Sequence, residues 1–168
     1  MTFFLVGMMG SGKSHWAKLL AEKMQLHWLD LDTVIEENEG ITIAHLFEAF
    51  GEPYFRQKES QALQNIQLKQ TAIIATGGGT PCFLNNMDWM NAHGITIWID
   101  EPVPILVSRA MQQVAHRPAI QNKSSAEVAQ LFTERYEARK PYYELAKWHV
   151  QGTNIHIDYL LSILQQYV

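Results

Sequence analysis

The stretch Gly7-Met-Met-Gly-Ser-Gly-Lys-Ser14 limits what this chain can fold into more than any other part of it. It stands between a short apolar run, Thr2 to Val6, and a segment in which Trp16, Leu19, Leu20 and Lys23 recur at helical spacing. Strand, glycine loop and helix in that order form a cradle for phosphate. The glycines let the backbone curl so that successive N–H groups face a β-phosphate, and the helix N-terminus adds its dipole. Lys13 reaches the β and γ oxygens, and Ser14 is placed to ligate Mg2+. The competing reading is a glycine-rich turn with a chance lysine.

A strand that feeds such a loop belongs to a parallel sheet, and the chain supplies the other strands. Runs rich in apolar, β-branched or aromatic residues recur at 27–31, 72–76 and 95–99, with a weaker one at 147–150. They read as buried strands. Between them lie segments of helical period, among them Val128, Leu131, Phe132 and Tyr136. Such alternation requires crossovers, hence a mostly parallel sheet with helices on both faces. The stretch from about 32 to 70 reads as two or three helices forming a substrate-binding insertion, and 111–125, weakly periodic and interrupted by Pro118, as a lid.

At 168 residues the chain is expected to be one domain throughout. Acidic residues exceed basic ones, giving a net charge of −4, so bulk electrostatics repel a nucleic-acid backbone and any anion site must be a local cluster. The one cysteine, Cys82, cannot close an intrachain disulfide, which fits a reducing compartment; a small buried hydrophobe is the expected role rather than a reactive thiol. The first apolar run is far shorter than the ~20 residues that span a bilayer and has no basic stretch before it. A cytoplasmic protein without membrane anchor is expected, and a monomer. The five tryptophans read as core, and no histidine pair has zinc-site spacing.

Ligands of open parallel sheets collect beyond the carboxyl ends of the strands. After the second strand come Asp30 and Asp32, two apart and so on one side of an extended segment; one serves a metal shell through water, the other accepts a hydrogen bond from an acceptor hydroxyl. Asp32 as a mere helix N-cap is the alternative. After the third strand come Gly77, Gly78 and Gly79, where backbone amides approach a polar ligand or simply turn tightly. Arg56 and Arg139 lie near apolar faces and need anionic partners: either a fork for a substrate carboxylate or structural ion pairs, with Glu59 the mate for Arg56. Arg117 in the lid is placed to neutralise a transferring phosphoryl group or is an ordinary surface arginine. Arg109 lies beside an adenine ring or faces solvent. His15 offers its backbone N–H to the nucleotide.

The series "GMMGSGKS", "DLD", "FRQKE", "TGGGT", "HRP" and "RKPYY" comes in the order and approximate spacing of shikimate kinases, and the chain resembles that family from end to end. The resemblance implies an α/β fold: a three-layer αβα P-loop kinase with a five-stranded parallel sheet in order 2-3-1-4-5, a substrate-binding helical insertion and a lid. It implies transfer of the ATP γ-phosphoryl group to the 3-hydroxyl of shikimate, with Mg2+ as cofactor, on the route to chorismate and the aromatic amino acids.

By the same resemblance Gly10, Ser11, Gly12, Lys13, Ser14 and His15 hold the ATP phosphates, with Lys13 as transition-state cation and Ser14 as metal ligand. Asp30 supports the metal through water, and Asp32 binds and positions the attacking hydroxyl. Arg56 and Arg139 clamp the acceptor carboxylate, Gly78 and Gly79 add backbone donors, and Arg117 closes over the nucleotide. Two departures stand out: His15-Trp16-Ala17 replaces the usual Ser-Thr with a glycine two residues later, and "QGTNIHI" stands where an arginine often flanks the adenine. The rival readings are a kinase of another small hydroxy acid such as gluconate, and a nucleotide-binding regulatory module without catalysis.

Overall fold

In a computed structural model, which describes residues 1–66, 70–112, 120 and 122–168, five strands form one parallel sheet. The strands are β1 (Thr2–Val6), β2 (His27–Asp30), β3 (Ala72–Ala75), β4 (Ile95–Asp100) and β5 (Trp148–Gln151), in the order β2-β3-β1-β4-β5. The helices that connect and cover them are α1 (Lys13–Met24), α2 (Leu31–Glu39), α3 (Ile43–Asn65), α4 (Asn86–His93), α5 (Val103–Gln112), α6 (Ser125–Tyr143) and α7 (Ile157–Leu164). The sheet order and its coverage on both faces are those expected from the sequence.

Alternation along β1 divides the core in two. Phe3 and Leu5 point to the side covered by α1 and α7, where they pack with Leu20, Ile73, Ile97, Leu160 and Ile163. Phe4 and Val6 point to the other, into a cluster with Ile35, Leu63, Ile74, Trp98, Leu106 and Phe132. A central parallel strand must be apolar at every position because both its faces are covered. Each such side chain contributes about 1.5–3 kcal/mol when fully buried.

The edges behave differently, and here the expectation of uniformly buried strands fails. In β2, His27 and Trp28 are exposed, and in β5 only Val150 is buried. An edge strand has one neighbour instead of two, so helices that roof the centre do not reach its outer side. The tryptophans fit the core only in part, for a related reason: Trp98, at the centre of the sheet, is buried, Trp16, Trp89 and Trp148 are half-buried and pack against the core, and Trp28 is 37% exposed. On α1 the buried stripe is Lys13, Ala17, Leu20 and Ala21, one position off the expected face, and Lys23 is exposed. Small alanines let this helix approach the sheet closely, leaving the bulkier Trp16 and Leu19 at its margin.

Between β2 and β3 the chain is helical from Leu31 to Glu39 and from Ile43 to Asn65, with a break at Gly51, whose φ is +79°. Pro53 follows, where it starts the second half of α3 without losing an interior hydrogen bond. Register brings Asp30, Ala75 and Leu5 level across three strands, so that everything after β1, β2 and β3 emerges at one rim. Among the described residues no helix is long and apolar enough to cross a membrane.

Candidate active site

Residues 7–12 curl over the rim between β1 and α1. Gly7 has φ +140°, and a Cβ there would lie 2.5 Å from the carbonyl oxygen of Ile99, so the turn out of β1 tolerates no side chain. Gly12 is the N-cap of α1 and supplies no side-chain cap, leaving the first amides of the helix for a ligand. Lys13 is buried and bends back over the loop, donating from Nζ to the carbonyl oxygens of Gly7 (2.9 Å) and Met8 (2.8 Å). Arg109 reaches over from α5 and donates to the carbonyl oxygen of Gly10 (2.9 Å) while paired with Glu101 at 2.8 Å. It thus braces the loop and lines the cleft beside it, with its side chain still 43% exposed. The His15 side chain is exposed, with its ring edge-on to Trp16.

Asp30 and Asp32 do not share an extended segment as the spacing suggested. The strand ends at Asp30, the helix begins at Leu31, and the N-cap of α2 is Asp30, whose Oδ1 accepts from the backbone N–H of Asp32 at 3.1 Å. Both still reach one cleft. Its volume is about 800 Å³, and Lys13, Ser14, Asp30, Asp32, Gly77 and Arg109 all line it. Burial, together with the negative charges of Asp30 and Glu59, pushes the Asp32 carboxyl up to about 6, against the opposing pull of Lys13.

Beyond Asp32 opens a smaller cavity of about 180 Å³ between α3, α6 and the glycine triplet. Arg56 lies in its wall, buried, held by Glu59 at 2.8 Å and Glu52 at 3.0 Å, with its Cζ over the Phe83 ring 4.3 Å from the centroid. Glu59 was the expected partner; Glu52 is a second. Gly79 is glycine because of this arginine: a Cβ there would stand 2.5 Å from its Nη2. Glu59, fully buried, also accepts from the Thr80 hydroxyl. Arg139 faces the cavity from α6 beside Gly78, and one turn on Tyr143 donates from its hydroxyl to the carbonyl oxygen of Gly78. Burial drives the Tyr143 phenol above its usual range, so it stays a donor.

The two cavities share Met9, Asp32, Gly77 and Gly78 as a common wall. Ligands occupying the loop cleft and the arginine-lined cavity would therefore adjoin at Asp32. Cys82 is half-buried behind this wall, its thiol pushed up to about 11 by burial, which suits packing and not nucleophilic chemistry. Arg117 and most of the expected lid lie outside the described residues. The lining residues that were not foreseen include Met9, whose apolar side chain carries no chemical signature, and Arg135. The latter was legible in principle, four positions before Arg139 on the same helical face.

The donors beside the loop fit a hard divalent cation. The Ser14 hydroxyl donates to Asp30 Oδ2 at 2.5 Å, giving two oxygens at the mouth of the phosphate cradle, and Mg2+ typically takes one or two protein oxygens with phosphates and water completing its shell.

A family model described as shikimate kinase matches residues 9–167. A protein of Phocaeicola vulgatus named shikimate kinase is 38% identical over 144 residues, covering 86% of this chain and 82% of that one. One from Bacteroides fragilis with the same name is 37% identical over 145 residues, covering 86% and 81%. Among solved structures, shikimate kinase from Bacteroides thetaiotaomicron superposes with a TM-score of 0.89 at 32% identity, over 99% of this chain and 97% of that one. Shikimate kinase from Acinetobacter baumannii in complex with shikimate does so with a TM-score of 0.84 at 31% identity, over 98% and 91%.

Proposed function

The chain belongs to the shikimate kinase family, and from that membership together with the two adjoining cavities we propose that it transfers the γ-phosphoryl group of ATP to the 3-hydroxyl of shikimate, giving shikimate 3-phosphate and ADP. The observation that carries this reading is the wall of Met9, Asp32, Gly77 and Gly78 common to the phosphate cleft and the arginine-lined cavity. Phosphoryl transfer asks little covalent chemistry of the protein; positioning and electrostatic stabilisation do the rest.

In this reading the amides of residues 10–15 hold the ATP phosphates. Lys13 turns from the loop carbonyls toward the β and γ oxygens, and Arg109 fixes the loop from behind. Asp32, at the boundary, accepts the hydrogen bond of the attacking hydroxyl and orients it. Arg56 and Arg139 hold the acceptor carboxylate, with Gly78 and Gly79 donating from the backbone. Ser14 and Asp30 would hold Mg2+, which when bound neutralises charge on the phosphate oxygens. The working form is a cytoplasmic monomer acting on two small molecules.

The test is ADP release from purified protein with ATP and Mg2+, run in parallel with shikimate, gluconate and no acceptor. Release that depends on shikimate is expected. Release with gluconate alone would move the acceptor to another hydroxy acid, and nucleotide binding without turnover on either would leave a binding module.

A further inference from the structure

One face of α6 carries Arg135, Arg139 and Tyr143 at intervals of four, and Arg135 and Arg139 line the acceptor cavity. Two guanidinium groups one helical turn apart repel each other, the more so where burial removes water from around them. Partial burial and the adjacent Arg139 hold Arg135 below the usual arginine range. An arrangement of this kind is unfavourable in the empty protein and becomes favourable when an anion occupies the space between.

The third arginine of the cavity is differently placed. Arg56 already faces two carboxylates, Glu59 and Glu52, which balance its charge and occupy three of its donors. Among the described residues neither Arg135 nor Arg139 has a carboxylate within ion-pair distance. Arg139 lies beside Gly78, and Arg135 donates to Met9 Sδ at 3.7 Å, a weak acceptor. The positive charge of the cavity without a directly paired carboxylate therefore lies along α6, on Arg135 and Arg139, with Glu52 acting on Arg135 from beyond ion-pair distance.

We propose that Arg135 is a specificity-determining residue that binds the acceptor's carboxylate together with Arg139, leaving the contact to Met9 when the acceptor enters. The proposal rests on the reading of the cavity as the acceptor site. With Arg135 the cavity presents three guanidinium groups, two of them on one helix, and selects acceptors that carry an anion.

The experiment compares wild type, Arg135→Met and Arg135→Lys in calorimetric titrations with shikimate, with its methyl ester, and with ATP. For Arg135→Met the shikimate Kd is expected to rise about tenfold or more, the loss typical of one charge-assisted hydrogen bond, while ATP binding is unchanged and reports an intact fold. With the ester, wild type and Arg135→Met should bind alike, since the charge that Arg135 meets is gone. Arg135→Lys should restore part of the affinity for the acid alone. In steady state the loss should fall on the acceptor KM and spare kcat. Unchanged shikimate affinity in Arg135→Met, or an equal loss for acid and ester, overturns the proposal. A wild type that does not bind shikimate overturns the functional reading itself, which separates the two failures.

Discussion

The Ser14 hydroxyl donates to Asp30 Oδ2 across a separation of sixteen residues, joining the first turn of α1 to the end of β2. The other oxygen of the same carboxylate caps α2. One side chain thus links the phosphate loop to the helix that carries Asp32.

The two duties of Asp30 separate by substitution. Asp30→Asn keeps an oxygen for the cap and drops the charge, so it should leave Tm near wild type while raising the Mg2+ concentration needed for half-maximal turnover. Asp30→Ala loses both and should also cost about 1 kcal/mol through the missing cap. Mg2+ titrations of activity beside thermal melts check this; a wild-type Mg2+ dependence in Asp30→Asn would remove Asp30 from the metal shell.

Asp32 gives a pH dependence of definite sign. Its carboxyl, ordinarily near 3.8, is pushed up to about 6 in the folded protein by burial and by the charges of Asp30 and Glu59. The folded state therefore binds a proton more tightly than the unfolded chain. The stability this provides is fully present below the unfolded value and is lost as pH rises through about 6. Asp32→Asn should accordingly be more stable than wild type at neutral pH, by about 1–3 kcal/mol, and the gain should vanish in acid. With Asp32 orienting the hydroxyl through its ionised form, as proposed, kcat/KM of the wild type should fall on the acid side of about 6 and be all but absent in Asp32→Asn at any pH. Melts and rate profiles over the same buffers test both halves.

Gly79→Ala should act through Arg56. The new methyl group would stand 2.5 Å from Nη2 of a guanidinium that Glu52 and Glu59 hold in place, so the fork must shift. The acceptor KM should rise about tenfold with the ATP KM unchanged. Equal effects on both substrates would mean that the glycine loop itself had moved.

Arg109→Ala should do the reverse. Its guanidinium braces the Gly10 carbonyl and pairs with Glu101, far from the arginines of the acceptor cavity. A several-fold rise in the KM for ATP is expected, in line with the loss of one charge-assisted hydrogen bond, with the acceptor KM constant. A change confined to the acceptor would refute the bracing role.

What could be read from the sequence was whatever local rules decide. Glycines at 7, 10 and 12 followed by Lys13 and Ser14 specify a loop whose chemistry depends on backbone and immediate neighbours. The runs TFFLV and ITIWI declare central strands because burial on both faces forces every position to be apolar. The resemblance carried Arg56, Asp32 and Arg139 to one acceptor site, and the folded chain brings all three to the same cavity. Tertiary structure alone decided the rest. The strand order came from the resemblance, but that the edge position leaves Trp28 exposed shows only in the packed molecule. That Asp30 and not Asp32 caps α2 depends on where β2 ends, and the end of β2 is set by its register with β3. Arg135 turns toward Met9, and Arg56 and Arg139 face one cavity, because α3 and α6 converge on the glycine triplet; Glu52, four residues before Arg56 on the same helix, was within reach of local spacing. Contacts between segments eighty or more residues apart leave no trace in local periodicity, since their energy comes from packing that exists only after the sheet has brought those segments together.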